Sequence, residues 1–257
     1  MKKNYVAALL TGLTLLTSTT FFVTCKNDPD PEAATEAEVT EVPEVYKKIY
    51  GASSITRSGE YVIIKTTGVP DHKSPYFQTT QWATAQYEAY NGTNTAWKQN
   101  PNKIASFSYT FRLPVSPKAA TTKSATAGGP IGVSLNGVPF FNQYAAMQAP
   151  LTDEINGFDQ YNGHPAQAGD YHYHAEPTYL TTTKGKEAIL GFLLDGFPVY
   201  GPMENGKVIT NSDLDKYHGH TSVTTDYPKG IYHYHITAAS PYINGNDYYG
   251  TPGTYTK

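Results

Sequence analysis

The stretches Tyr171-His172-Tyr173-His174 and Tyr232-His233-Tyr234-His235 decide how this chain is read, because strict alternation of two residue types is the period of a β-strand. In a strand, residues i and i+2 point to one face, about 7 Å apart along the backbone, so two imidazoles converge while two phenol rings share the opposite face. A helix would splay the same pair by about 200°. Working outward, Asp159-Gln160-Tyr161-Asn162-Gly163-His164 precedes the first stretch, and Asp215-Lys216-Tyr217-His218-Gly219-His220 precedes the second. Earlier still, Leu135-Asn136-Gly137-Val138-Pro139-Phe140-Phe141 answers to Leu194-Asp195-Gly196-Phe197-Pro198-Val199-Tyr200. The blocks keep one order, with first-to-third spacings of 36 (135 to 171) and 38 residues (194 to 232). This implies two similar β units, about 131–180 and 190–240, packed about an approximate two-fold axis. Two copies are too few for a solenoid, so a single shared core is expected.

The rest of the chain after residue 45 reads the same way. Tyr61 to Thr67, Ala105 to Leu113 and Ala188 to Leu194 are short β-branched or aromatic runs bounded by Gly, Pro or Asn. No stretch there sustains the i, i+3, i+4, i+7 pattern with caps, although 81–90 and 143–149 each suit a short helix. The expected fold is all-β or β-dominated, a single domain with an internal pseudo-two-fold duplication. The Thr/Ala/Lys stretch 118–127, ending in Gly128-Gly129-Pro130, reads as a mobile surface loop or a weak internal boundary.

Composition excludes several classes. One cysteine in 257 residues rules out an intrachain disulfide framework and any zinc site built on paired thiolates. The net charge of -3 is unevenly spread: residues 28–44 hold seven acids and no base, and from Val45 onward sixteen Lys or Arg face fifteen Asp or Glu. A near-neutral body without basic clusters argues against nucleic acid as a partner. At the other end, Lys2 and Lys3 precede an uncharged, mostly apolar run to Thr24, the layout of a secretory signal (1–24). Phe22-Val23-Thr24-Cys25 resembles the lipobox of bacterial lipoproteins, with Thr24 and Phe22 departing from its usual residues. Cys25 is then the lipidated residue, 25–44 an acidic flexible tether, and 45–257 the folded domain. The protein is expected at the cell envelope, membrane-anchored, on the periplasmic side or surface-exposed. The alternative is plain secretion with Cys25 unmodified.

The histidines carry the chemistry. Seven of the eight fall between His164 and His235, and six (His164, His172, His174, His220, His233, His235) occupy matched repeat positions. Imidazole is the commonest nitrogen ligand for zinc and copper, and His-x-His plus a Gly-His gives a three-histidine set with an open position. Mg and Ca would prefer oxygen cages. Asp159 and Asp215 either orient these imidazoles, ligate directly or form turns; Asp195 is a further site candidate or a turn former. His218, matched by Asn162, is the weakest of the cluster. Six histidines allow one shared site, two three-histidine sites, or one coordinating and one degenerate copy; an axis joining the copies favours a shared or bridged cluster. Two function classes follow: a metal-binding envelope protein, with copper or zinc and with or without metal-dependent chemistry, or a module binding a glycan or an envelope protein with structural histidines. No Gly-x-Ser-x-Gly elbow is present.

The paired Tyr-His-Tyr-His motifs, Leu194 to Gly201, Leu214-Asp215 leading to Gly219-His220, and Ser240-Pro241-Tyr242 together resemble the YHYH domain family. The resemblance extends to Gly68-Val69-Pro70-Asp71-His72 and Asn100-Pro101-Asn102, and so spans roughly residues 50–250. It implies secreted or membrane-attached proteins without a settled activity, and it adds His72 as a candidate site residue. Many members of the family carry Cys where Tyr217 stands, which this chain does not.

Overall fold

Strands form where alternation and β-branched runs call for them, and the computed structural model describes residues 41–126 and 128–257. The signal segment, Cys25 and the tether up to residue 40 lie outside the described residues. In chain order the strands are β1 (Ala52–Ser58), β2 (Tyr61–Thr66), β3 (Tyr109–Pro114), β4 (Gly132–Ser134), β5 (Pro139–Phe140), β6 (Gly163–Pro165), β7 (Tyr171–Tyr173), β8 (Ile189–Leu193), β9 (Pro198–Tyr200), β10 (Met203–Glu204), β11 (Lys207–Val208), β12 (Gly219–Ser222), β13 (Ile231–His235) and β14 (Thr254–Thr256). They build a four-stranded sheet β1-β2-β3-β14, an eight-stranded sheet β12-β13-β9-β8-β4-β5-β7-β6, and the small β10-β11 hairpin.

The larger sheet reads the same outward from its middle. β4 and β8 pair antiparallel, with Gly132 opposite Leu193 and Ser134 opposite Gly191. On one side follow β5, β7 and β6; on the other β9, β13 and β12. Each half repeats an antiparallel step, a parallel step (Phe140 to Tyr173; Val199 to Tyr234) and an antiparallel step (His164 to His172; His220 to His233). Gly137 and Gly196 close the first hairpin of each half at φ 81° and 82°, a region an L side chain rarely enters.

One core joins the two sheets. Val62, Ile64, Phe111 and Leu113 of the small sheet cluster with Val133, Phe140, Tyr173, Phe192, Val199 and Tyr234 of the large one, all fully buried. Each such side chain contributes about 1.5–3 kcal/mol of burial, so this shared layer is the main stabilising element.

Elsewhere the structure amends the sequence reading. The two short helices shrink to single turns, α2 (Ala83–Gln86) after α1 (Glu44–Lys47), and a 3-10 turn at Ala146–Gln148. An unexpected helix, α3 (Thr178–Lys184), follows Pro177 and stops at Gly185 (φ 102°). With only Leu180 and Thr181 buried, it is too short to show a helical period. The stretch 118–127 is neither a free loop nor a boundary: Ala119 bridges Gly250, Ala125 bridges Asp247, and Thr126 N–H donates to Asn246 O at 2.8 Å. The described residues from 41 onward accordingly make one compact unit.

Burying so many phenols has a consequence at high pH. Burial pushes the hydroxyls of Tyr46, Tyr109 and Tyr248 well above the ordinary value of 10.0, and that of Tyr76 up to about 12. Because the folded value exceeds the unfolded one, this stabilisation is complete below about pH 10 and is lost as pH rises through the folded values. Ultraviolet phenolate absorbance from these four residues is expected to appear only together with loss of tertiary circular dichroism. Their ionisation near pH 10 in an intact fold would contradict the packing described.

Candidate metal centres

Strand register assembles two four-residue clusters. In the first, β6 sets His164 opposite His172 of β7, His174 follows on the same face, and Glu154 reaches in from a 3-10 turn. In the second, β12 sets His220 opposite His233 of β13, His235 follows, and Glu204 comes from β10. Within each cluster one ligand atom per residue lies within 4.8 Å of all the others.

The tyrosines hold this alternation in place from the opposite face. Tyr171 and Tyr232 donate their hydroxyls to Asp159 Oδ2 (2.8 Å) and Asp215 Oδ1 (2.9 Å). The same aspartates accept the backbone N–H of Tyr161 and Tyr217, each at 2.9 Å, so they shape the turn before the Gly-His strand and do not touch the imidazoles. Asn162 and His218 fill matched left-handed positions in these turns, φ 63° and 75°. Gly163 and Gly219 lie beneath the anchored rings, where an added Cβ would come within 2.2 Å and 2.5 Å of the Tyr171 and Tyr232 oxygens. Tyr173 accepts from Asn136 Nδ2 at 3.1 Å, whereas Tyr234 donates to Asp195 Oδ2 at 2.6 Å. Asp195 is fully buried; burial pushes its carboxyl up to about 6, against the donors Tyr234 and Gly250 N–H. Asp195→Ala is expected to cost about 3 kcal/mol in urea unfolding by leaving those donors unpaired; a change below about 0.5 kcal/mol, the range of an ordinary surface substitution, would contradict that role.

Of the remaining candidates, His72 sits on the phenol side, 2.9 Å from the Tyr173 hydroxyl, and His218 Nε2 meets Thr237 Oγ1 at 3.0 Å. Neither joins a cluster. The six matched histidines do converge, three by three. Four strands separate β7 from β13, and five spacings of about 4.8 Å give about 24 Å between the centres. The expectation of one shared cluster is therefore replaced by two separate ones: the two halves of the large sheet meet through β4 and β8, which places the imidazole strands towards opposite ends of the sheet.

Glu154 and Glu204 were not visible by comparing the repeats. They precede the paired Gly-His histidines by 10 (154 to 164) and 16 residues (204 to 220) and come from dissimilar elements, a 3-10 turn and a hairpin. No constant spacing marks them.

The protonation pattern decides what the clusters can do. The Nδ1–H groups of His172, His174, His233 and His235 donate to the backbone oxygens of Asp170 (2.8 Å), Asn142 (2.5 Å), Ile231 (3.0 Å) and Gly201 (2.8 Å). A carbonyl only accepts, so each of these rings turns an Nε2 lone pair inward. The lone pairs face one another across 2.9 Å in the first centre and 3.1 Å in the second, where neither nitrogen has a proton to donate. The inward nitrogens of His164 and His220 are buried and face the carboxylate oxygens of Glu154 and Glu204 at 3.1 Å and 3.3 Å. Burial holds His172 well below 6.5 and takes His174 and His233 down to about 4, favouring the neutral form that ligates. Ligand-atom separations run from 2.9 Å up to 4.8 Å, with the closest pairs near the roughly 3.3 Å edge of a tetrahedron with bonds of about 2.0 Å, the geometry of nitrogen and oxygen ligands around zinc. The residues fit a first-row transition metal ion.

The surroundings of the two centres differ. Phe141 stacks on His172 at 3.9 Å, and Phe158 lies parallel to the His174 ring at 5.8 Å. The first centre borders a cavity of about 360 Å³ on the His172 and His174 side and one of about 590 Å³ on the His164 side. The second is walled by Tyr200, 4.9 Å from His233, and borders a cavity of about 180 Å³.

No curated protein and no solved structure matches the chain. A family model described as YHYH protein matches residues 110–210 and 203–246. That span takes in more than half of the chain and all eight cluster residues, and the chain belongs to the YHYH protein family.

Proposed function

We propose that this is a metal-binding protein of the cell envelope that holds two transition-metal ions, copper or zinc, one in each His₃Glu centre. The observation that supports it most is the inward lone-pair contact of each His-x-His pair, made in both halves with a third imidazole and a glutamate carboxylate beside it. A structural role for these histidines would pair the facing nitrogens with donors, whereas a cation between them would accept both lone pairs. Copper or zinc added to the chelator-stripped full-length protein is expected to bind saturably by calorimetry. Failure of both metals to bind would overturn the proposal.

A second reading, metal-dependent chemistry, is favoured by the first centre alone. Glu154 and His164 form part of the wall of the 590 Å³ cavity, beside Lys98, Asn100, Asn102 and Gln167. A space of that size suits a small polar ligand. When bound, such a metal supplies Lewis acidity and lowers the pKa of water; the chain supplies amide and ammonium groups that can hold a ligand there.

The envelope location rests on the N-terminal sequence, with Cys25 as the lipid attachment point and the acidic stretch after it, short of Val42 and helix α1, as the tether. Labelled fatty acid is expected to enter the wild type and not Cys25→Ala. No label, or label unchanged by the substitution, would remove the anchor.

A further inference from the structure

The two centres share their imidazoles but not the hold on their carboxylate. In the second, the Ser222 hydroxyl at the end of β12 donates to Glu204 Oε1, while Glu204 Oε2 faces His220 Nε2 at 3.3 Å. One carboxylate oxygen is thereby tied to the strand and the other is aimed at the ligand set. In the first, no side chain outside the cluster donates to Glu154 among the described residues, and its further donor is the Ala146 N–H. Ala146 opens a turn whose next two residues, Met147 and Gln148, are left-handed at φ 58° and 59°, a costly conformation for residues other than glycine. Glu154 therefore hangs on a strained turn, whereas Glu204 is fixed by a strand.

The repeat explains the difference. Strand register sets His220 opposite His233 and Ser222 opposite Ile231. In the first half it sets His164 opposite His172, and one residue past the end of β6 Ala166 N–H donates to Asp170 O at 2.9 Å. Ala166 is thus the counterpart of Ser222, each two residues beyond its Gly-His histidine and so on the same face. A methyl group, which cannot donate, stands where the second half has a hydroxyl. Beside it, Glu154 and Ala166 line both cavities of the first centre.

Three imidazoles and a fixed carboxylate oxygen complete a tetrahedral set, whereas three imidazoles and a displaceable fourth ligand leave a position for an incoming group. We infer that Ser222 is a positioning residue that locks Glu204 into the second centre, and that the first centre, with Ala166 in that place, admits a small anion in exchange for Glu154. This rests on the reading of the clusters as metal centres, and it names the ligand class for the first of them. An anion fits because it replaces a carboxylate of the same charge in a buried site, where an uncompensated charge is costly. The exchange breaks one carboxylate–metal contact and forms one anion–metal contact, with no change of oxidation state. Although the His220 side chain is 26% exposed, its inward Nε2 is buried, so the second centre gains no open position there.

The test uses full-length His172→Ala/His174→Ala, which keeps the second centre alone, and His233→Ala/His235→Ala, which keeps the first, each loaded with whichever of copper or zinc it binds. Azide is the probe anion, titrated in a calorimeter. The first centre is expected to bind azide at least about tenfold more tightly than the second, equivalent to about 1.4 kcal/mol. Adding Ser222→Ala to the protein that keeps the second centre should raise its azide affinity to that of the first, and adding Ser222→Thr, which retains the hydroxyl, should not. Should Ser222→Ala fail to fold by circular dichroism, the comparison between the two single-centre proteins still decides. Equal azide affinities in those two, azide at neither, or a second centre unmoved by Ser222→Ala would overturn the division of roles and leave both metal centres standing. Failure to hold either metal would overturn both.

Discussion

Removing metal with a chelator is expected to lower the melting temperature of this protein by about 8–16 °C for each centre emptied. An ion present at about a thousand times its dissociation constant stabilises the native state by about 4 kcal/mol per site. In a domain of this size each kcal/mol moves the midpoint by about 2–4 °C. The structural reason is local. Without a cation, the His172–His174 and His233–His235 pairs hold lone pairs 2.9 and 3.1 Å apart inside the protein, and their backbone hydrogen bonds prevent a change of tautomer from relieving the contact. A cation turns that repulsion into coordination. Calorimetric scans before and after chelation, with metal restored in a third sample, check this; superimposable scans would count against it.

Substituting Gly191 by Ala is expected to destabilise the fold by about 4 kcal/mol or more, at the exceptional end for single substitutions. A Cβ there would lie 2.3 Å from Val133 O and 2.6 Å from Ser134 Cα, both backbone atoms of the strand across the junction. The matched Gly132 is equally confined, its added Cβ 2.4 Å from Phe192 O. Relief requires β4 and β8 to part, and among the described residues that strand pairing is the only one joining the two halves of the large sheet. Such a cost is a large share of the 5–15 kcal/mol that holds an ordinary domain together. Gly128→Ala is the control: its added Cβ meets nothing within 4 Å, and a change within about 0.5 kcal/mol is expected. Denaturant unfolding of the two variants checks the difference, and equal midpoints would contradict the junction as described.

The six imidazoles were legible because strand alternation is a local property: Tyr-His-Tyr-His can place its side chains in only one way once it is a strand. The turn role of Asp159 and Asp215 was legible as one option, since Asx turns are also local. What escaped was set by long-range topology. The β4–β8 pairing sends the two imidazole strands to opposite ends of the sheet, and no sequence spacing specifies which strands of two similar units will meet. Glu154 and Glu204 escaped for a related reason, each arriving from an element the other half lacks. His72 shows the reverse. A family resemblance marked it, and the structure places it among the phenols, tilted against Tyr161 and hydrogen-bonded to Tyr173.

The most direct test of the account is a metal count by native mass spectrometry on full-length protein purified without a His tag and loaded with copper or zinc. Two ions per chain are predicted for the wild type, one for His172→Ala/His174→Ala, and one for His233→Ala/His235→Ala, with the fold retained in each. A wild type that takes one ion or none, or a double variant that keeps both, would contradict it.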